Sequence, residues 1–209
     1  MPLNHFLFHS MGALVVITGP MFSGKTTELI RQLERSYYAK RKAAIFKPSL
    51  DKRYSEKEVV SHNGLRYPAI VVPNDEEGVY EIYSKVHELG IDVVCIDEGQ
   101  FFPIQLVEVA EKLVEEGKLV FVAGLNLDFR GEPFETIKEL LARADDIIHL
   151  KAVCTVCGLD ATRTQRLING EPAPYDSPKI LVGGKEVYEA RCRKHHVVIR
   201  EKITKKRKV

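Results

Sequence analysis

Residues 19–26 read GPMFSGKT, an instance of G-x-x-x-x-G-K-[ST] that directly follows the apolar run ALVVIT (13–18) and opens a segment of helical period. No other feature constrains the chain so strongly. The pattern carries meaning only between a strand and a helix. Both flanks are present, which sets aside a chance match at a glycine-containing turn. Gly19 and Gly24 let the backbone through Pro20, Met21, Phe22 and Ser23 curl so that its N–H groups face phosphate oxygens. The helix N-terminus adds a partial positive charge at the same place. Lys25 is expected to reach the β- and γ-phosphates of ATP, and Thr26 to offer its hydroxyl to Mg²⁺.

Residues 13–150 continue this logic. AAIF (43–46), AIVV (69–72), VVCI (93–96) and LVFVAG (119–124) are apolar throughout, as strands covered on both faces of a parallel sheet must be. Between them run helical faces: Leu29, Ile30, Leu33 and Tyr37 in one segment, Leu106, Val109, Ala110, Leu113 and Val114 in another. Strand–helix alternation of this kind predicts an α/β domain, a parallel sheet with helices on both faces. Lys47 to Arg66 interrupts it with a polar, irregular stretch too long for a passive connection. After about residue 151 the texture shifts to paired cysteines, prolines and glycines, which predicts a small second module. The expected division is an extension over 1–11, a P-loop nucleotide-binding domain over 12–151, a zinc-binding module over 152–197 and a basic tail over 198–209.

A second acidic site closes the apolar run in VVCIDEGQFF (93–102). Asp97, at the end of a strand neighbouring the first, reads as the Walker B acid that serves Mg²⁺. Glu98 follows, and a chain turning at a strand end can aim both carboxylates into one cleft. The competing reading is a solvated strand end. Of the four cysteines, Cys95 stands alone in VVCID and reads as a buried, inert thiol. Cys154-x-x-Cys157 and Cys192-x-x-His195 form two knuckles, each able to present two ligands to one ion. A Cys₃His set of Cys154, Cys157, Cys192 and His195 is an ordinary structural zinc site, with His196 as a rival for the fourth position.

Composition narrows the setting. No apolar run approaches the roughly 18 residues of a membrane span, and residues 1–20 lack a basic leader and a cleavage signature. Met11 offers a second in-frame start. Cysteines clustered for metal fit a cytosolic chain, so a cytoplasmic location is expected. A net charge of +2 says little about partners. The one basic cluster, KKRK within Lys202–Lys208, reads as a solvated terminus.

The ordered set GPMFSGKT, DKRY (51–54), SH (61–62), DEGQFF (97–102), FRGEPF (129–134), CTVC (154–157) and GGKEVYEARC (183–192) resembles the type II thymidine kinases over residues 12–196. That resemblance implies a RecA-like P-loop domain and a zinc-stapled lasso that closes over the nucleoside. It implies a homotetramer, ATP and thymidine as substrates and dTTP as a feedback inhibitor. By the same resemblance Glu98 matches the general base, and Gln100 lies in the same nucleotide-contacting segment. Asp51 and Arg53 match the DxR element near the phosphates. Phe129 matches the aromatic that holds the thymine ring, with Met21, Leu125 and Phe134 beside it and Thr164 near the base. Tyr188 and the backbone of Lys179, Ile180, Leu181, Val182 and Gly183 match the lasso. The stretch NGEPAPYDSP (169–178) is longer than the usual lasso.

Two other functions share parts of this pattern. A GTPase switch would carry a base-reading NKxD element, and NLDF (126–129) is not one. A P-loop ATPase with a nucleic-acid-binding zinc ribbon would want a basic module. Arg163, Arg166, Arg191 and Arg193 are there, but so are Glu171, Asp176, Glu186 and Glu189. Nucleic acid is therefore not expected as a partner.

Overall fold

The computed structural model describes residues 12–50, 58–60, 66–181 and 187–200. The first part alternates strands and helices: β1 (Ala13–Thr18), α1 (Lys25–Tyr38), β2 (Ala43–Pro48), β3 (Glu58–Val60), β4 (Arg66–Pro68), β5 (Ile70–Val72), α2 (Glu76–Glu88) and β6 (Val93–Ile96). It continues through a 3₁₀ turn (Gly99–Phe101), α3 (Gln105–Glu115), β7 (Leu119–Gly124), α4 (Glu135–Arg143) and β8 (Asp146–His149). Six of these strands form one parallel sheet in the order β5–β2–β6–β7–β1–β8.

The apolar runs are explained by what covers them. In β1, Leu14 and Val16 join the core beneath α2, α3 and α4, while Val15 and Ile17 join the core beneath α1. Neighbouring strands repeat the division: Val94 and Ile96 face the first core, Val93 and Cys95 the second. Side chains alternate across a strand, so only an unbroken apolar run can satisfy two helical layers at once. Burial raises the Cys95 thiol pKa well above its ordinary value, with the nearby Asp97 adding to the effect, so this thiol is inert.

Departures from the sequence pattern are local. Tyr37 is 45% exposed, and Ser36 takes its place on the buried face of α1, its hydroxyl donating to the Gln32 carbonyl at 2.9 Å. The Tyr37 ring stacks on Tyr67 instead, and its hydroxyl donates to the Ala43 carbonyl at 3.2 Å. The polar stretch after Lys47 contains an antiparallel hairpin, β3–β4, whose Val59 is buried against the core beneath α1. The edge strand β8 has only two apolar residues with alternating exposure, which no long apolar run announces.

Beyond His149 the strands shorten and turn antiparallel: β9 (Ala152–Val153), β10 (Asp160–Ala161), β11 (Arg163–Ile168), β12 (Glu171–Pro172) and β13 (Tyr188–Arg191). They pair as β9–β10 and as β12–β11–β13. No helix among the described residues is long and apolar enough to cross a membrane.

Candidate active site

Strands β1, β7 and β6 are adjacent and parallel, so their carboxyl ends lie side by side. In such sheets ligands bind beyond those ends. The loop after β1 is the phosphate cradle, the segment after β6 carries the acid pair, and the segment after β7 begins with Leu125. Topology thus gathers three stretches that sequence separates.

Within the cradle, Phe22 has φ 64° and Gly24 φ 87°, the left-handed turns that curl the loop. A Cβ on Gly19 would lie 2.3 Å from the Leu150 carbonyl oxygen, so only glycine fits where the loop leaves β1. Lys25 Nζ and Ser23 Oγ both donate to the Pro20 carbonyl, each at 2.8 Å, which folds the lysine back over the loop. Across the cleft, the Thr26 hydroxyl donates to Asp97 Oδ2 at 3.1 Å. Asp97 is 5% exposed, and its Oδ1 accepts the Glu98 N–H at 3.0 Å.

Glu98 sits at φ 52°, a strained conformation for a side chain with a Cβ and a recurrent feature of functional sites. The turn reverses the strand's alternation and lets Glu98 share the cleft with Lys25 and Thr26. Gln100 holds it there. Its amide nitrogen donates to Glu98 Oε2, and its Oε1 accepts the Leu125 N–H at 3.0 Å. A Cβ on Gly124 would lie 2.5 Å from Ile137 Cδ1 and 2.9 Å from that Oε1, so the glycine ending β7 leaves room for both side chains. Gln100, placed among the nucleotide contacts by resemblance, therefore braces the carboxylate against the opposite wall.

One pocket brings together most of the residues singled out from sequence. Met21, Phe22, Gly24, Lys25, Thr26 and Glu98 line its cradle side; Leu125, Phe129, Phe134, Thr164, Lys179, Ile180, Leu181 and Tyr188 line the other. Gly19, Pro20, Ser23, Asp97 and Gln100 stand behind these as support. Asp51, Arg53, Val182 and Gly183 lie outside the described residues. The Thr164 hydroxyl oxygen accepts the Met21 N–H at 3.0 Å, joining β11 directly to the cradle.

Sequence reasoning missed Asp128, Phe101, Thr27, Leu127 and Arg166, which also line the pocket. Asp128 Oδ1 accepts the N–H groups of Arg130 at 2.9 Å and Glu132 at 3.0 Å, shaping the loop that presents Phe129. Arg166 carried no signal in sequence; its burial shows only in the structure. Thr164, Gln165 and Arg166 are three consecutive polar residues of β11, all buried, where a short strand would bury every second one.

At the far side of β11 and β13 the two knuckles converge. The ligand atoms of Cys154, Cys157, Cys192 and His195 all lie within 4.8 Å of one another. Cys157 Sγ is 3.8 Å from Cys192 Sγ, and His195 Nδ1 is 3.3 Å from Cys192 Sγ and 3.7 Å from Cys154 Sγ. A zinc tetrahedron with bonds of about 2.3 Å has edges of about 3.8 Å, so the set fits that ion. The Cys154 thiol is pushed down to about 5: desolvation opposes the thiolate, but backbone N–H groups of Cys192, Val156 and Cys157, with His195, outweigh it. His196 does not join the cluster. Its Nε2–H donates to the Phe129 carbonyl at 2.8 Å, tying the second knuckle to the aromatic of the pocket.

The family model for thymidine kinase matches residues 12–196. The chain belongs to the thymidine kinase family. It is 62% identical over 190 residues to a thymidine kinase of Thermococcus kodakarensis, covering 91% of this chain and 96% of that protein. It is 58% identical over 185 residues to a thymidine kinase of Pyrobaculum aerophilum, covering 88% of this chain and 98% of that one. The nucleic-acid-binding alternative loses its footing here. Arg166 is buried in the pocket, and Arg191 Nε donates to Glu189 Oε2 at 2.7 Å, so neither of these two arginines adds to a basic face.

Proposed function

We propose that the chain is an ATP:thymidine 5′-phosphotransferase. The observation that carries this reading is Glu98, a carboxylate held by Gln100 in the one pocket that also holds Lys25, Thr26 and the aromatic Phe129. A nucleotide switch has no use for a nucleoside-sized apolar wall opposite its phosphate cradle. A nucleoside kinase needs both.

The chemistry follows from the residues. The 5′-hydroxyl is too weak an acid to ionise at neutral pH, so a carboxylate beside it takes its proton as it attacks the γ-phosphorus. Glu98 is assigned that role. Lys25 draws negative charge from the β- and γ-phosphates, and the loop N–H groups hold them in line. Asp97 and the Thr26 hydroxyl are hard oxygen donors suited to Mg²⁺, which when bound would neutralise charge on the phosphates. Phe129, Met21, Leu125 and Phe134 enclose the base, and the lasso backbone from Lys179 onward reads its edge. A closed ring of backbone donors and acceptors excludes purines and penalises cytosine, whose amino group is a donor where thymine has an acceptor. The cysteine module is assigned structural zinc, since protein ligands fill all four positions.

Residues 12–151 and 152–197 are read as the nucleotide-binding and lasso units. Family resemblance extends the proposal to a cytoplasmic homotetramer inhibited by dTTP, testable by sedimentation and by inhibition kinetics. The deciding experiment for the activity is transfer of labelled γ-phosphate from ATP to a panel of nucleosides, with an ATP-only control. Label in dTMP is expected, with little in dCMP. ATP hydrolysis without an acceptor would overturn the reading.

A further inference from the structure

Arg166 is 2% exposed, yet among the described residues all of its hydrogen bonds go to uncharged oxygens. Its Nη2 donates to the Tyr188 hydroxyl at 2.6 Å and to the Lys179 carbonyl at 2.9 Å, its Nε donates to the same hydroxyl at 3.1 Å, and its Nη1 donates to the Pro178 carbonyl. The guanidinium lies 4.2 Å from the centre of the Phe129 ring. Tyr188 completes the array by donating to the Leu181 carbonyl at 2.6 Å. Burying a cation without a carboxylate is costly, so a guanidinium kept here calls for a role that its planar fork alone can fill.

We infer that Arg166 is the positioning residue for base recognition, fixing the peptide planes of the lasso and the ring of Phe129 before the nucleoside binds. The inference rests on the kinase reading above. In a trans peptide the C=O and the following N–H point opposite ways. With the Pro178 and Lys179 carbonyls turned to Arg166, the N–H groups of Lys179 and Ile180 are turned away from it. One side chain thus fixes the lasso backbone and, through cation–π contact, the ring against which the base lies. A second arginine supports the array: Arg130 Nη2 donates to the Ser177 carbonyl at 2.7 Å, with its guanidinium 5.3 Å from the Phe129 ring centre. The lasso is therefore preorganised, which lowers the ordering cost of binding.

The test compares the purified wild type with Arg166→Met, Arg166→Lys and Tyr188→Phe, measuring KM and kcat for thymidine, KM for ATP and the ratio of thymidine to deoxycytidine kcat/KM. Losing charge-assisted bonds of this kind is expected to raise the thymidine KM by about 10–100-fold and to lower the ratio, with the ATP KM near wild type. Lysine keeps the charge but lacks the fork, so it is expected to rescue little. Tyr188→Phe keeps the ring and removes the bridging hydroxyl, so combining it with Arg166→Lys is expected to cost less than the sum of the two. This pair carries the test even if Arg166→Met does not fold. An unchanged thymidine KM and ratio, full rescue by lysine, or strict additivity would each overturn the inference. A wild type that phosphorylates no thymidine would overturn the kinase reading itself, and this inference with it.

Discussion

The wall proposed to hold the phosphates is contiguous in sequence: Gly19 to Thr26 curl, lead into a helix and present a lysine at its start. The wall proposed to face the base is assembled from Leu125, Phe129, Thr164, Arg166, Lys179 and Tyr188, which come from four separate segments. Backbone geometry builds the first wall. The second depends on side chains bonding across segments: Thr164 to Met21, His196 to Phe129, Arg166 to the lasso. A triphosphate is the same on every nucleotide and can be met by a fixed loop, whereas a particular base has to be met by a shape and edge of its own. The two walls should accordingly fail in different ways.

Lys25→Ala tests the first wall and should have the largest effect. An arginine finger on a transferring phosphoryl is worth about 10³–10⁵ in kcat, and removing the Lys25 charge is expected to lower kcat on a comparable scale. Binding of a fluorescent ATP analogue should weaken, while thymidine affinity measured by calorimetry should hold. Loss of thymidine affinity along with ATP would mean that the walls are not separable.

Removing the metal tests the second wall. Cys154→Ser, or dialysis against a chelator, should release about one zinc per chain, measured by atomic emission. Even outer-shell partners of a metal are worth about 10–100-fold, so thymidine kcat/KM should drop at least about 100-fold. The ATP analogue should still bind. A wild type that carries no zinc and phosphorylates thymidine fully would remove the metal from this account.

How far these walls were legible in sequence follows the same division. The cradle, the acid pair and the four candidate metal ligands are short-range patterns, and the parallel sheet showed itself in unbroken apolar runs. Arg166 was not legible as a pocket residue, because an arginine reads as surface until strands β11 and β13 pair and bury it. Gln100 was assigned to the nucleotide, since nothing local reveals that its amide reaches Leu125, 25 residues on. The choice between His195 and His196 was settled by which ring the 192–195 turn brings to Cys154, a matter of three dimensions. The edge strand β8 and the outward turn of Tyr37 escaped for a simpler reason: half-exposed elements carry weak periodicity.

The smallest effect should come from Thr164→Val, at the seam between the walls. It keeps the volume but leaves the buried Met21 N–H without its acceptor, at a cost of about 1–3 kcal/mol. Chemical denaturation should show that loss. Because the bond joins β11 to the cradle, KM should rise modestly for both substrates. A rise for thymidine alone would place Thr164 wholly on the base side.

The central claim is that chemistry belongs to the phosphate side and runs through Glu98. Glu98→Gln keeps the size of the side chain and can still hydrogen-bond, but it cannot accept the 5′-hydroxyl proton. General base catalysis contributes about 10²–10⁴-fold. The direct measurement is single-turnover phosphoryl transfer with this variant, together with the dissociation constants of thymidine and ATP. The expected result is a rate lower by about 10²–10⁴-fold with both substrates bound nearly as well as in the wild type. Retention of most of the rate would contradict it, leaving Asp97 and Glu98 as an acidic pair that serves the metal alone.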